Sequence, residues 1–298
     1  MNQFDAEQLA YQVEKKRVKE NFHSSSNRYD EVAVLQREVA NRLLENLDYI
    51  TLEPSTILDV GCGTGYCTDL LRKRFPKAKV IALDLALGMA QYAKNKTGWM
   101  ERIKGKKHFV CGDAEFLPIK ERSIDLVVSS LAIQWCNSLD QAFKEFHRII
   151  RPGGLALFST FGPDTLRELR SAWSKVDNHV HVNAFLDMHD IGDALMRTGL
   201  VDPVMETEHF TLTYPTVKSL MGELKTLGSR NSSRGRTKTL TGKAQFNKMI
   251  QAYEQFRQDN VLPASYEVVY GHAWPTSKPN VDSESTIRID QIGGRREG

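Results

Sequence analysis

Apolar positions follow two alternating patterns from residue 56 onward. Five short runs typical of strands end near residues 59, 84, 111, 130 and 160, and segments of helical periodicity separate most of them. Strands that alternate with helices predict a parallel sheet with right-handed crossovers. The chain is therefore predicted to be an α/β protein that binds its ligand at the carboxyl ends of the strands.

Residues 1–50 precede the first predicted strand and contain two helical patterns. The first is rich in charge around residues 14–20. The second, from about residue 30 to residue 47, has apolar residues near helical spacing at Val32, Leu35, Val39, Leu43 and Leu47. Between them, residues 21–30 are expected to form a polar loop. Its aromatics, Phe22 and Tyr29, either pack within an N-terminal lid or contact the ligand, and the pattern favours neither.

Two later segments, residues 204–213 and 265–274, alternate between apolar and polar positions. They predict two further strands, paired antiparallel at an edge of the sheet. Residues 215–262 between them are too many for a hairpin turn and predict an insertion. A polar tail follows from residue 276 to residue 298, where we expect a loosely held terminus.

The insertion carries six cations without an acid. They are Lys225, Arg230, Arg234, Arg236, Lys238 and Lys243. A solvated basic loop is the simpler interpretation. A docking surface for an acidic partner is the favoured one, because like charges repel each other unless an anion neutralises them.

Composition narrows the class of protein. With 298 residues, 41% of them hydrophobic, the chain is long enough to bury a full core. Apolar runs are too short to span a membrane and the N-terminus is too polar for a signal peptide, which predicts a cytoplasmic protein without a membrane role. The four cysteines stand at irregular spacing, so we expect neither bound metal nor disulfides. The formal net charge of +3 does not indicate nucleic-acid binding.

The candidate chemistry begins at residues 59–65, between the first strand and its helix. Gly61, Gly63 and Gly65 alternate, which lets the backbone approach a ligand closely. Their G-x-G-x-G spacing differs from the G-x-G-x-x-G of dinucleotide enzymes. Asp59 precedes them and suits a ligand with a positive charge or an amino group better than a pyrophosphate. We interpret this turn as a site for S-adenosylmethionine.

Two further acids end the second and third predicted strands. Asp84 is placed to accept both ribose hydroxyls of a nucleoside. Asp113, between Gly112 and Ala114, is placed to accept the adenine amino group. Either acid alone also suits a turn, but three acids at three strand ends favour one shared site. After the fourth strand, Gln134 and Trp135 are expected near the sulfonium.

Residues 59–65, Asp84, residues 112–114 and residues 151–154 together resemble the class I S-adenosylmethionine-dependent methyltransferases over about residues 50–160. The resemblance implies a Rossmann-like fold: a mostly parallel seven-stranded sheet with an antiparallel edge, an N-terminal helical lid at 1–50, and a methyltransferase domain at 51–275 with a helical insertion at about 215–262. The implied cofactor-binding residues are Asp59, Gly61, Cys62, Gly63, Gly65, Asp84, Leu85, Met89, Asp113, Ala114, Glu115, Leu131 and Gln134.

Other segments narrow the resemblance. Residues 35–37, 131–136, 161–166, 181–183 and 224–228 are similar to the malonyl-acyl-carrier-protein O-methyltransferase family of biotin synthesis. That family methylates the free carboxylate of a malonyl thioester, leaving S-adenosylhomocysteine. A carboxylate is already ionised near neutral pH, so no general base is expected.

The narrower resemblance also implies the acceptor contacts and the partner. Tyr29, Arg37 and Lys225 are the candidates that position the substrate carboxylate, with Arg28 and His23 as further possibilities. The partner is an acyl carrier protein, which is acidic. Its expected docking residues are Arg230, Arg234, Arg236, Lys238 and Lys243.

Three other functions remain open at this point. A small-molecule O-methyltransferase, acting on another carboxylate or a quinone precursor, would share Asp59, Asp84 and Asp113 but would not need the basic insertion. A binding protein that kept the fold without activity would not need all three acids. An RNA methyltransferase is disfavoured, because no aromatic residues are interleaved with the cations of the insertion.

Overall fold

A single mixed sheet organises the chain. The computed structural model describes residues 12–96, 107–237 and 241–276. Its strands are β1 Thr56–Val60, β2 Lys79–Asp84, β3 Lys107–Cys111, β4 Ile124–Ser130, β5 Ile150–Phe161, β6 Leu200–Tyr214 and β7 Leu262–Pro275. They lie in the order β3-β2-β1-β4-β5-β7-β6. The first five are parallel, and β7 runs antiparallel to both β5 and β6. The predicted seven-stranded sheet with an antiparallel edge is confirmed.

Helices flank the sheet on both faces. They are α1 Lys15–Ser25, α2 Tyr29–Val32, α3 Val34–Glu45, α4 Tyr66–Arg74, α5 Leu87–Lys96, α6 Leu139–Ile149, α7 Arg167–Ser174, α8 Met188–Arg197, α9 Val217–Thr226 and α10 Lys243–Tyr253. Within the described ranges, none of these helices has both the length and the apolar character that a membrane crossing requires.

The central strands are apolar throughout because both of their faces are buried. Successive side chains point to opposite faces, so Ile57 joins the core beneath α3 and α4, whereas Leu58 joins the core beneath α6 and α8. The α3 helix, at the end of the predicted N-terminal lid, therefore packs against the sheet through Leu35, Val39 and Leu43.

The expected polar loop at residues 21–30 is wrong, because α1 continues to Ser25. The cause is tertiary packing. Asn21 and Ser25 are buried, and the Asn21 side chain donates to the Ser232 hydroxyl at 3.2 Å. Contacts with the insertion thus stabilise a helical turn that its polar sequence does not favour.

The two antiparallel strands extend beyond the segments predicted for them. β6 begins at Leu200 and continues through an irregularity between Val201 and Val204. The insertion between β6 and β7 contains α9 and α10, which confirms its helical character. Residues 1–11 of the predicted lid and all of the predicted tail except Thr276 lie outside the described residues.

Candidate active site

The glycine turn after β1 adopts backbone conformations that only glycine adopts easily. Gly61, Gly63 and Gly65 have φ of +76°, +52° and +88°. A Cβ on Gly61 would lie 2.1 Å from the Cβ of Ala132, in the loop after β4. The Gly61 amide donates to the carbonyl of Leu83 at 2.7 Å, which fixes the turn to the end of β2. The turn is thus packed too closely for any side chain at position 61.

Asp59 lies beneath this turn and is 1% exposed. Its Oδ2 accepts a hydrogen bond from the Thr68 hydroxyl at 2.5 Å. Its Oδ1 is buried and has no hydrogen-bond partner among the described residues. Burial raises the pKa of Asp59 to about 7, against the hydrogen bond from Thr68. A buried carboxylate oxygen without a donor fits a ligand that brings an amino group.

Asp84 ends β2 on the other side of the turn. Its two oxygens accept from the Gly63 amide at 2.9 Å and from the Ala86 amide at 2.7 Å. Burial raises the pKa of Asp84 to about 6, and the two amide hydrogen bonds oppose that rise. The carboxylate is therefore held at the edge of the turn, where the ends of β1 and β2 meet.

The cavity beside the turn, here called the cofactor cavity, encloses about 650 Å³. Eight of the predicted cofactor-binding residues line it: Gly61, Gly63, Asp84, Leu85, Met89, Asp113, Ala114 and Leu131. They come from the ends of β1, β2, β3 and β4, the edge at which parallel sheets bind ligands. An adenosine with a charged amino-acid tail matches this arrangement of acids and apolar walls.

The other five predicted residues do not line the cofactor cavity. They are Asp59, Cys62, Gly65, Glu115 and Gln134. Gln134 donates to the Leu131 carbonyl at 2.8 Å and lines a neighbouring cavity instead. Trp135, the next residue, does line the cofactor cavity and packs edge-on against Phe22 with ring centroids 5.2 Å apart.

The N-terminal helix α1 closes one side of the cofactor cavity. Lys15, Val18 and Phe22 line it, followed by Tyr29 at the start of α2. The Lys15 ammonium lies 2.7 Å from an Asp113 oxygen and also contacts Glu115. The sequence interpretation missed Lys15 and Val18. The spacing of Val18 and Phe22 in a charged helix was the available signal of a buried face.

Tyr29 remains protonated in this site. Burial raises its pKa well above the usual range, and the nearby charges of Asp84 and Asp30 raise it further. The neighbouring Asp30 accepts from the Thr64 hydroxyl at 2.6 Å, which ties α2 to the glycine turn. Tyr29 is therefore a hydrogen-bond donor and not a base.

A second cavity, here called the arginine cavity, encloses about 1680 Å³. Apolar side chains such as Phe161, Leu169 and Trp173 form much of its wall. Its charged lining residues are Arg17, Lys225, Arg230 and Arg236, and no carboxylate lines it among the described residues. Trp135 lines both this cavity and the cofactor cavity.

The predicted acceptor cations lie in different places. Lys225 lines the arginine cavity, but Arg37 donates to the Asp30 carbonyl at 2.9 Å and lines neither cavity. Arg28 is exposed and pairs with Glu31. Of the predicted docking residues, Arg230 and Arg236 line the arginine cavity. Arg234 and Lys243 are exposed, and Lys238 lies outside the described residues. Arg17 was not predicted.

The N-terminal segment and the insertion pair directly with each other. Val13 and Ser233 form an isolated antiparallel bridge. On either side of it, the Glu14 amide donates to the Ser232 carbonyl and the Arg234 amide donates to the Gln12 carbonyl, both at 2.8 Å. The two segments thus form one cover over the arginine cavity.

One group with metal-ligand chemistry lies apart from both cavities. Asp164, His209 and Glu267 each place a ligand atom within 4.8 Å of the others. Asp164 and His209 are exposed, and none of the three lines the cofactor or arginine cavity. The absence of a metal remains a prediction.

Comparison with known proteins agrees with this geometry. Residues 58–158 match a family model described as a methyltransferase domain. A candidate methyltransferase of Bacillus halodurans C-125 shares the fold, with a TM-score of 0.54 and 17% identity over 79% of this chain and all of that one.

Two relatives are much more similar. A malonyl-acyl-carrier-protein O-methyltransferase of Gallionella capsiferriformans (strain ES-2) is 46% identical over 93% of this chain and 96% of its own length. One of Methylovorus sp. (strain MP688) is 48% identical over 89% of this chain and 90% of its own length. The chain belongs to the malonyl-acyl-carrier-protein O-methyltransferase family.

Proposed function

We propose that the protein methylates the free carboxylate of a malonyl thioester on an acyl carrier protein, with S-adenosylmethionine as donor. The product is the malonyl methyl ester that starts pimeloyl synthesis for biotin, and the reaction takes place in the cytoplasm. The observation that carries the proposal is Trp135, which lines both the acid-rich cofactor cavity and the cation-lined arginine cavity. A cationic donor and an anionic acceptor therefore have adjoining sites of opposite charge.

The chain's acids would hold the donor. Asp84 accepts from the ribose hydroxyls, Asp113 accepts from the adenine amino group, and Asp59 lies beneath the turn with an oxygen free for the amino group. When bound, S-adenosylmethionine supplies an electrophilic methyl carbon, whose bond to sulfur breaks as its bond to the carboxylate oxygen forms. No proton is transferred.

The acceptor needs orientation more than activation. Its carboxylate is ionised at neutral pH, and Tyr29 stays protonated, so neither group calls for a base. The side chains of the arginine cavity hold the carboxylate in line with the methyl carbon. Closure by α1 and the insertion removes water from both charges, which favours a reaction that neutralises them.

The surface of the insertion suits the carrier protein. Arg234 and Lys243 are exposed on it, and the charge of an acidic carrier is opposite to theirs. A small free acid would use the same cofactor cavity without this surface.

Transfer of label tests the proposal. Purified protein, radiolabelled S-adenosylmethionine and malonylated carrier protein should give a labelled carrier whose label is released by base. Unacylated carrier is the control and should remain unlabelled. Labelling of a small carboxylic acid, with malonylated carrier unlabelled, would show that the acceptor is wrong.

A further inference from the structure

The arginine cavity holds positive charge that the protein itself does not neutralise. Arg17, Lys225, Arg230 and Arg236 line it without a carboxylate among the described lining residues. From outside the lining, Glu14 contacts Arg236, with 3.1 Å between Oε2 and Nη2. Like charges in a partly closed cavity repel each other strongly, because the surrounding dielectric is low.

Three of these side chains also have an unused buried donor. The Nε atoms of Arg17, Arg230 and Arg236 are buried and have no hydrogen-bond partner among the described residues. A buried N–H without an acceptor costs free energy. Each guanidinium presents a planar set of donors that matches the two oxygens of a carboxylate. The cavity therefore lacks an anion with acceptor oxygens.

We infer that Arg17 and Arg230 bind the free carboxylate of the malonyl group, an inference that rests on the proposed function. Arg17 lies on α1 and Arg230 lies in the insertion, so the bound carboxylate joins the two halves of the cover. Arg236 is partly neutralised by Glu14 and supports the site electrostatically.

The carrier arm also bears an anion, the phosphate of its phosphodiester. Two observations favour the carboxylate. The arginine cavity shares Trp135 with the cofactor cavity, so its cations lie beside the site of the methyl donor, where the reacting carboxylate must be. Arg234 and Lys243 are exposed and lie outside the lining, which leaves the outer cations for the carrier.

Substrate and product separate these anions, because methylation removes the charge of the carboxylate and leaves the phosphate. We would measure the affinity of the S-adenosylhomocysteine complex for malonylated carrier and for its methyl ester by calorimetry. The variants are Arg17→Gln and Arg230→Gln. Arg197→Gln is the control, since Arg197 forms a surface ion pair with Asp140 at 3.0 Å and lines neither cavity.

The wild type should bind the malonyl carrier more tightly than the methyl ester. Each variant should weaken malonyl binding about tenfold or more and leave methyl-ester binding nearly unchanged, because one charged hydrogen-bond pair is lost. The control should match the wild type. Variants are compared only when their affinity for S-adenosylhomocysteine matches the wild type, and Arg17→Met or Arg230→Met, which keep the packing of the stem, replace one that fails to fold.

Two results would overturn the inference. Equal weakening for both carriers would assign the arginines to the phosphate of the arm, and unchanged affinity would remove them from the acceptor site. Either result leaves the proposed function intact if the wild type still methylates malonylated carrier. Absence of that methylation in the wild type would instead overturn the proposed function.

Discussion

The Lys15 ammonium lies 2.7 Å from a carboxylate oxygen of Asp113, so the N-terminal helix is joined to the end of β3 across the cofactor cavity. Burial lowers the pKa of Lys15, but the nearby side chains of Cys136, Asp113 and Glu115 outweigh it and raise the pKa above its usual value. The ion pair is therefore fully charged at neutral pH and holds α1 against the cavity.

Loss of this ion pair should speed cofactor exchange. In Lys15→Met, α1 keeps its apolar contacts but loses its tether to Asp113, so S-adenosylhomocysteine should both bind and dissociate several-fold faster. Stopped-flow tryptophan fluorescence is a suitable measurement, since Trp135 packs against Phe22 of the same helix. Lys16→Met is the matched control, because Lys16 is exposed on α1. Equal rates in wild type and Lys15→Met would contradict this role.

Cofactor binding should release protons between about pH 6 and 7. In the ligand-free protein, burial raises the pKa of Asp59 to about 7 and that of Asp84 to about 6. Donors from the cofactor favour the ionised carboxylates, so binding lowers both pKa values and tightens as pH rises. Calorimetry in two buffers of different ionisation enthalpy measures the release. Asp84→Asn should weaken binding and reduce the release, whereas Asp48→Asn, at an exposed ion pair with Arg74, should not.

The same pKa values fix the sign of the effect on stability. Below about pH 7 the folded, ligand-free protein retains protons that an unfolded chain loses near pH 4. The contribution of Asp59 and Asp84 to the free energy of unfolding therefore falls as pH rises through this window. A cofactor affinity independent of pH from 5 to 8 would contradict both arguments.

Charge reversal on the exposed part of the insertion should act through the carrier protein. Arg234→Glu combined with Lys243→Glu should raise KM for malonylated carrier several-fold with little change in kcat, because these cations steer an acidic partner. The difference should shrink at high salt. Initial rates with malonyl carrier and with a malonyl thioester of a short thiol measure the effect.

Two comparisons make this result specific. The short thioester lacks the carrier, so its KM should be unchanged by the double reversal. Lys79→Glu reverses an exposed charge at the start of β2, the opposite end from the cofactor cavity, and should leave both KM values unchanged. An equal rise in KM for both substrates would place Arg234 and Lys243 in the acceptor site instead.

Sequence patterns predicted the sheet because its signals are local. An apolar strand, a glycine turn and an acid at a strand end are each confined to a few residues, and the parallel topology then places Asp84 and Asp113 on one cavity. The direction of a long side chain is not local. Arg230 and Arg236 face the arginine cavity while Arg234 between them is exposed, a difference that their shared charge does not reveal.

Lys15 and Arg17 were missed for a related reason. Charged residues in a short polar helix usually face solvent, and here they line cavities because residues 12–14 pair with residues 232–234. That pairing joins positions more than 200 residues apart. No periodicity within either segment predicts it.

The bridge between Val13 and Ser233 bears on how acceptor choice can be re-engineered. Each segment supplies half of the backbone pairing, so a replacement of one alone leaves unmatched amide and carbonyl groups opposite a foreign partner. A chimaera that exchanges residues 12–32 and 215–261 together preserves the pairing and leaves the glycine turn untouched. Acceptor specificity in this fold is thus a transferable unit made of two distant pieces of chain.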